Sequence, residues 1–257
     1  GEFRAVVFSP AHLSLVKEGP VQRRRFLDLA LSQLRPRYAS LLSQYNRALA
    51  QRNILLKDIA YHSELMDTLA IWDERLAMLG AQIIYQRRSY VDRMQESAVA
   101  FYHGLSRGRE ELSLAYASSI EGRSAEEIAY ELSEKLTKNR AEDLKNGSTS
   151  VGPHRDDLEI YVDQLSARIY GSQGQQRSCA LSMKLSEAAL IREITGEQPV
   201  ALLDDVMSEL DAGRQDYILN HIEGWQVFIT CCEPSSLLRL CDGKTFSLHS
   251  GSLEETA

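Results

Sequence analysis

The sequence predicts an α/β protein: buried parallel strands flanked by helices, with a mainly helical stretch placed before most of them. Three observations lead there. Pro199–Leu203 and Gln226–Thr230 are apolar runs of strand length separated by a helical pattern over roughly 211–222. Strands apolar on both faces belong in parallel sheets covered by helices. Residues 21–108 instead show apolar side chains at helical spacing. The charge divides in the same way: 16 Lys and Arg against 11 Asp and Glu in residues 1–110, but 13 against 25 in residues 111–257. The net charge of −7 is therefore an average of a basic part and an acidic part, an asymmetry that hints at nucleic-acid contact on the basic side.

The elements follow in order. Arg4-Ala5-Val6-Val7-Phe8 reads as a short buried strand, and Ser9-Pro10 ends it. Phe26, Leu27, Ala30 and Leu34 open the helical stretch; Pro36 breaks or restarts it. Tyr38, Leu41, Leu42, Tyr45 and Leu49 continue the pattern, and Leu65, Leu69, Trp72, Leu76, Leu79, Ile83 and Tyr90 form a second long run. No strict heptad persists, so an antiparallel helical arm is expected, with Trp72, Tyr85, Tyr90 and Tyr102 in its core. Leu112–Tyr116 alternates as a strand does, and Ser124 with Glu127 forms a capping box that opens a helix to about Arg140. Asn146–Thr149 is a turn. Leu158–Val162 and Ala167–Tyr170, around Asp163-Gln164, predict a hairpin. A helix from about Gln175 to Thr195 ends at Gly196.

At 257 residues and 44% apolar composition the chain can bury a core without staples. Cys179, Cys231, Cys232 and Cys241 make no C-x-x-C, which argues against a zinc ribbon or disulfide scaffold; Cys231-Cys232 is expected to pack inside. The six histidines lack metal-ligand spacing. No apolar run approaches the roughly 18 residues of a membrane span, and no signal peptide opens the sequence.

Three segments carry chemistry. Leu202-Leu203-Asp204-Asp205 ends an apolar strand in two carboxylates at the sheet edge where open α/β folds bind ligands. Adjacent strand residues face opposite ways, so the acids can divide their work. Asp204 would hold Mg²⁺, directly or through water, and Asp205 would orient or deprotonate a water. The simpler alternative is a pair of loop acids capping the next element. Gly171-Ser172-Gln173-Gly174-Gln175-Gln176-Arg177 lies between a strand pattern and a helix pattern. Two glycines, a hydroxyl and a helix N-terminus suit a phosphate, and they equally suit an ordinary N-cap. Ser208-Glu209-Leu210-Asp211 alone is a turn into a helix.

Their order is more specific than any one of them. Ser172–Arg177, a helix, Leu202–Asp205 and then Ser208–Asp211 resemble the signature motif, Walker B strand and D-loop of an ABC-type ATPase head. With Phe8-Ser9-Pro10, Gly19-Pro20, Arg23–Asp28 and Gly152-Pro153-His154-Arg155-Asp156-Asp157 added, the chain resembles the RecF family of bacterial recombination-repair ATPases, related to the SMC group, from Arg4 to its last strands. The resemblance implies a P-loop NTPase fold with an inserted helical lobe. Residues 1–19 would be a remnant of the first ATPase lobe, 20–147 a helical lobe for DNA and partners, and 148–257 the part holding the three motifs. It implies ATP and Mg²⁺ as cofactors and an ATP-dependent homodimer. In such a dimer Ser172, Gly174 and Gln175 bind in trans the nucleotide held by the other subunit, Asp204 serves the metal, Asp205 the water, and Ser208–Asp211 the D-loop. It implies duplex DNA and single-strand/duplex junctions, with RecO and RecR, as partners in the bacterial cytoplasm at the nucleoid, and a role in loading recombinase on gapped DNA.

The sequence also departs from the family pattern. No G-x-x-x-x-G-K-[ST] match occurs: Gly243-Lys244-Thr245 has Leu238 where the first glycine belongs. The family's Walker A loop is expected upstream, and these 257 residues alone are expected to hydrolyse ATP poorly. Thr230 stands at the switch position, where many ABC enzymes have histidine, and Ala11-His12 follows Pro10 where Glu-Asp is usual. Most ABC ATPases carry Glu where Asp205 stands, but the RecF pattern has Asp there too, so this position fits the family and the resemblance implies slow, switch-like hydrolysis. Arg23-Arg24-Arg25 and Arg87-Arg88 are the candidates for DNA phosphates, against the alternative of surface salt bridges and helix packing. Two rival functions stand beside this one: a scaffold without catalysis, and a metal-dependent nuclease, which requires further acids converging on Asp204 and Asp205.

Overall fold

The computed structural model describes residues 3–13, 15–232 and 243–256. The chain opens with strand β1 (Ala5–Phe8) and a single turn α1 (Pro10–Leu13). Helix α2 (Pro20–Leu34) and helix α3 (Pro36–Asp58) each begin on a proline, which costs the first turn no hydrogen bond. A 3-10 turn at Ser63–Thr68 leads into α4 (Leu69–Ser106), a helix of 38 residues that packs on α3, on α2 and on the rest of the molecule. It ends at Arg107, whose backbone is left-handed (φ 57°).

Strand β2 (Leu112–Ala117) follows, then α5 (Ala125–Lys138), opened by the expected Ser124–Glu127 capping box, and the short α6 (Arg140–Asn146), ended by left-handed Gly147. Strand β3 (Asp157–Val162) runs antiparallel to β2, and β4 (Leu165–Ser166) pairs back on β3. The predicted hairpin turn is present, with Asp163 and Gln164 both at positive φ. Its second arm is corrected: Ala167–Tyr170 is not a strand but a helical turn, α7. The Gln176 side chain donates to the Ala167 carbonyl, and Gly171 N–H closes the turn on the same oxygen. A Cβ on Gly171 would sit 2.4 Å from that oxygen, so the glycine is required.

Helix α8 (Gln173–Thr195) ends at left-handed Gly196, as expected. Strand β5 (Val200–Asp204), helix α9 (Ala212–His221), capped by Asp211, and strand β6 (Val227–Thr230) complete the predicted strand-helix-strand unit. The sheet order is β1-β5-β6, all parallel, with Val7 opposite Leu202 and Asp204 opposite Thr230. A hairpin of β7 (Thr245–His249) and β8 (Ser252–Thr256) follows.

One apolar cluster runs from β1 through α2, α3, α4 and α5 to β2, β3, α8 and β5. The helical stretch and the parallel sheet therefore share a core. Tyr90 and Tyr102 lie inside it and Trp72 is partly covered, but Tyr85 points outward. Cys231 and Cys232 are exposed rather than packed, because they lie just beyond the end of β6; Cys241 falls outside the described residues.

Candidate functional site

Two clusters form at the C-terminal edge of the parallel sheet, and they meet at residues 205–211. The first centres on the acids. Asp204 is the last residue of β5, and Asp205 follows in the left-handed region at φ 48°, a conformation that turns the chain sharply out of the strand. Thr230 joins them: its hydroxyl donates to Asp204 Oδ1 at 2.8 Å and accepts the Asp205 N–H at 3.0 Å. Ser208 Oγ donates to the Asp205 carbonyl at 2.9 Å and lies 3.2 Å from its Oδ1. All four residues are exposed. Hard carboxylate and hydroxyl oxygens suit Mg²⁺. Among the described residues, no three His, Cys, Asp or Glu side chains converge to hold a metal ion. Two carboxylates and two hydroxyls make a small donor set, of the kind that suits an ion keeping several waters and taking phosphate oxygens, as Mg²⁺ does.

The second cluster is the start of α8. Ser172 Oγ accepts the Gln175 N–H at 3.2 Å, and Gln175 Oε1 accepts the Ser172 N–H at 2.7 Å: a reciprocal cap. The cap reading of the sequence thus holds, yet it does not exhaust the hydroxyl, which serves the cap as acceptor and keeps its own proton to donate. Arg177 reaches across to the Glu209 carbonyl at 2.7 Å and to its carboxylate. Arg214 donates to Ser178 Oγ at 2.9 Å and to the Gly174 carbonyl at 3.2 Å, and pairs with Asp211. Asp211 caps α9 by accepting the Arg214 N–H, and its carboxyl is held below the usual range by hydrogen bonds from Arg214, which outweigh burial. Ser208–Asp211 is thus clamped to the α8 N-terminus by two arginines. Leu210 contributes by burial, anchoring the segment while its neighbours face solvent.

The basic residues behave differently. Arg23 is buried and forms a two-pronged pair with Asp157 at 2.8 and 2.7 Å. Arg87 is buried against Asp28 and donates to the Pro153 carbonyl at 2.7 Å. Arg88 donates to the carbonyls of Ile120 and Gly122, and Arg24 to that of Asp156. Arg23 and Arg87 thus point their guanidinium groups at internal partners, and Arg88 is half-buried on two backbone carbonyls. Arg24 is half-buried, and Arg25 alone of the five is exposed.

The segment Gly152–Asp157 is where several of these ties end. Gly152 sits at φ 125°, His154 Nδ1 shares a hydrogen bond with Tyr45 Oη at 2.7 Å, and Asp156 accepts from Tyr116 at 2.7 Å. Burial holds His154 neutral, its pKa lowered to about 4 against an opposing bond to the Thr149 carbonyl. His12 is likewise lowered to about 4, by burial and then by nearby Lys184 and Arg25, and it bonds Ser9 Oγ at 2.8 Å. Two contributors carried no motif in the sequence: Arg214, which grips both sides of the second cluster, and Glu110, which accepts from Gln175 Nε2 at 2.9 Å.

A parallel β-α-β edge with paired acids, and a capped helix clamped to the loop that follows them, defines part of an ABC-type ATPase head. Comparison with known proteins makes the assignment specific. The chain is 48% identical over 231 residues to the DNA replication and repair protein RecF of Agathobacter rectalis, matching 90% of this chain and 62% of that protein. It is 41% identical over 256 residues to the RecF protein of Clostridium perfringens, matching 99% of this chain and 70% of that one. The solved structure of the recombination mediator protein RecF with ATPrS, from the RecFOR pathway, superposes with a TM-score of 0.91 at 41% identity, over all of this chain and 69% of that one. No family model matches. The chain belongs to the RecF family, and it spans 62% to 70% of the length of these curated relatives.

Proposed function

We propose that this chain supplies the trans-acting signature loop, the acid pair and the helical lobe of an ATP-dependent, dimerising recombination mediator. The observation that carries the proposal is the arrangement at the start of α8. The Ser172 hydroxyl and the first turn face solvent, in a loop with no lysine of its own, beside a D-loop segment fixed by Arg177 and Arg214. A helix N-terminus so presented can bind a phosphate delivered by another subunit. Ser172, Gly174 and Gln175 would meet the γ-phosphate of ATP across the dimer. Asp204 would take Mg²⁺, Asp205 would hold the attacking water, and Thr230 would keep the two acids in register. Bound Mg²⁺ would supply charge neutralisation for the phosphates.

In this reading residues 20–147 form the lobe that meets duplex DNA and single-strand/duplex junctions, and residues 148–257 belong to the ATPase head. RecO and RecR are the partners suggested by the RecFOR relative, and the setting is the bacterial cytoplasm at the nucleoid. Arg25, exposed on α2, is the member of the basic run able to reach a phosphate. The absence of further converging acids among the described residues counts against a nuclease. The decisive test is dimerisation of the full-length protein with Mg-ATP, measured by sedimentation. Ser172→Arg should abolish the nucleotide-dependent dimer; an unchanged dimer would overturn the assignment of the signature loop.

A further inference from the structure

We infer that Glu110 is a positioning residue for the phosphate-facing loop, fixing Gln175 from behind and anchoring it to the buried end of α4. The inference rests on the proposed role of Ser172–Gln175. Glu110 follows the left-handed end of α4 and is half-buried. Its Oε1 accepts from Gln175 Nε2 at 2.9 Å, and its Oε2 accepts from Tyr102 Oη at 2.7 Å. Tyr102 is fully buried, so the carboxylate hangs from a fixed point in the core.

Gln175 has one side chain and two obligations. Its Oε1 holds the Ser172 N–H, and its own N–H is held by Ser172 Oγ. A glutamine amide is planar, so fixing Nε2 on Glu110 also fixes where Oε1 points. Through Oε1 the constraint passes to the Ser172 backbone, and so to the hydroxyl. Without Glu110, Gln175 is held by the cap alone, and an exposed cap of this kind opens readily in water. The same end of α4 leans on α9. A Cβ on Gly104 would lie 2.2 Å from the Tyr217 ring, and one on Gly213 would lie 2.4 Å from the Arg107 guanidinium. The loop is thus tied to α4, the 38-residue helix that also packs on α2, α3 and α5.

A carboxylate near a phosphate site repels the ligand by charge alone, so positioning and charge predict opposite results. In the full-length protein, dimerisation driven by a non-hydrolysable ATP analogue should weaken about tenfold in Glu110→Ala, the loss of roughly one charge-assisted hydrogen bond. Glu110→Gln should stay within about twofold of the parent: its oxygen still accepts from Gln175, and the Tyr102 hydroxyl turns to accept from its amide. Analogue affinity of the isolated monomer should not move in either variant. Should Glu110→Ala not fold, Tyr102→Phe removes the anchor alone and should weaken dimerisation several-fold. Dimerisation unchanged in Glu110→Ala, or raised equally in both Glu110 variants, would overturn the inference while Ser172→Arg still abolishes the dimer. If Ser172→Arg leaves the dimer intact, the signature assignment fails and takes this inference with it.

Discussion

The seam between the helical stretch and the rest of the molecule, and the C-terminal edge of the parallel sheet, are built from the same residue types to opposite ends. At the seam, Arg52 is fully buried and donates to Asp73 at 2.6 Å, to Asp143 at 2.7 Å and to Thr149 at 2.9 Å. Arg23 is spent in the same manner on Asp157, and Arg87 on Asp28 within the stretch and on the Pro153 carbonyl across the seam. At the sheet edge, Asp204, Asp205, Ser172 and Ser208 are exposed, and each retains bonding capacity after its internal contacts. A charged residue is read from what its partners leave unused. Charges paired inside the protein hold the molecule together, and exposed ones with bonding capacity to spare are the candidates for a ligand.

The contrast can be broken from the seam first, where the effect should be largest. Arg52→Met takes the guanidinium from fully buried Asp143 and leaves Asp73 to Arg140, and should cost about 3–5 kcal/mol, read from denaturant unfolding. Comparable stability in that variant would mean that the seam's ion pairs are expendable. At the edge, Asp204→Asn should leave unfolding within about 0.5 kcal/mol of the parent, since the residue is exposed, while lowering ATP turnover of the full-length protein at least about 100-fold. A stability loss with turnover retained would reverse the roles of the two regions.

Acid sharpens the same contrast by a smaller amount. His154 titrates near pH 4 in the folded chain, against 6.5 as its ordinary value. The unfolded chain therefore binds the proton first. Stability should be full above pH 6.5 and decline as pH falls from 6.5 towards 4, by about 3 kcal/mol for a shift of this size. His12, lowered likewise, adds a smaller share because it is more open to solvent, so His154→Gln should remove most of that decline and leave the His12 part; an equally steep fall would place the sensitive group elsewhere. The smallest effect is expected on DNA. Arg25→Ala should lower the slope of log K against log salt by about 0.9 if that side chain meets one phosphate, with no change in stability. Arg23→Ala should instead unfold the protein more easily, because it leaves Asp157 without its partner.

Much of the fold was legible because period and punctuation agreed. The α8 boundary at Gly196, the capping box before α5, and the β5-α9-β6 unit each had both an apolar pattern and a terminating residue. Ala167–Tyr170 was misread because its isoleucine and tyrosine favour strands, whereas its helical turn is imposed by Gln176 from a later element. The short α6 and the β7–β8 hairpin lacked a strong period of their own. For the candidate site, the motif residues were visible as a linear order. What the order cannot carry is pairing. Arg25 and Arg23 are two positions apart, and the carbonyls of Val16 and Glu18, with Asp157 arriving from 134 residues away, separate their roles. Arg214 and Glu110 had no motif to mark them, because their work is done entirely through space.

Thr230 joins the two acids through a single atom. One oxygen atom passes a hydrogen bond from the backbone of one acid to the carboxylate of the other. A threonine hydroxyl neither gains nor loses a proton in the range a cell experiences, whereas a histidine in that place would. The joint between the acids is therefore deaf to acidity. Any control over that joint has to come through what binds the acids, not through the hydroxyl that links them.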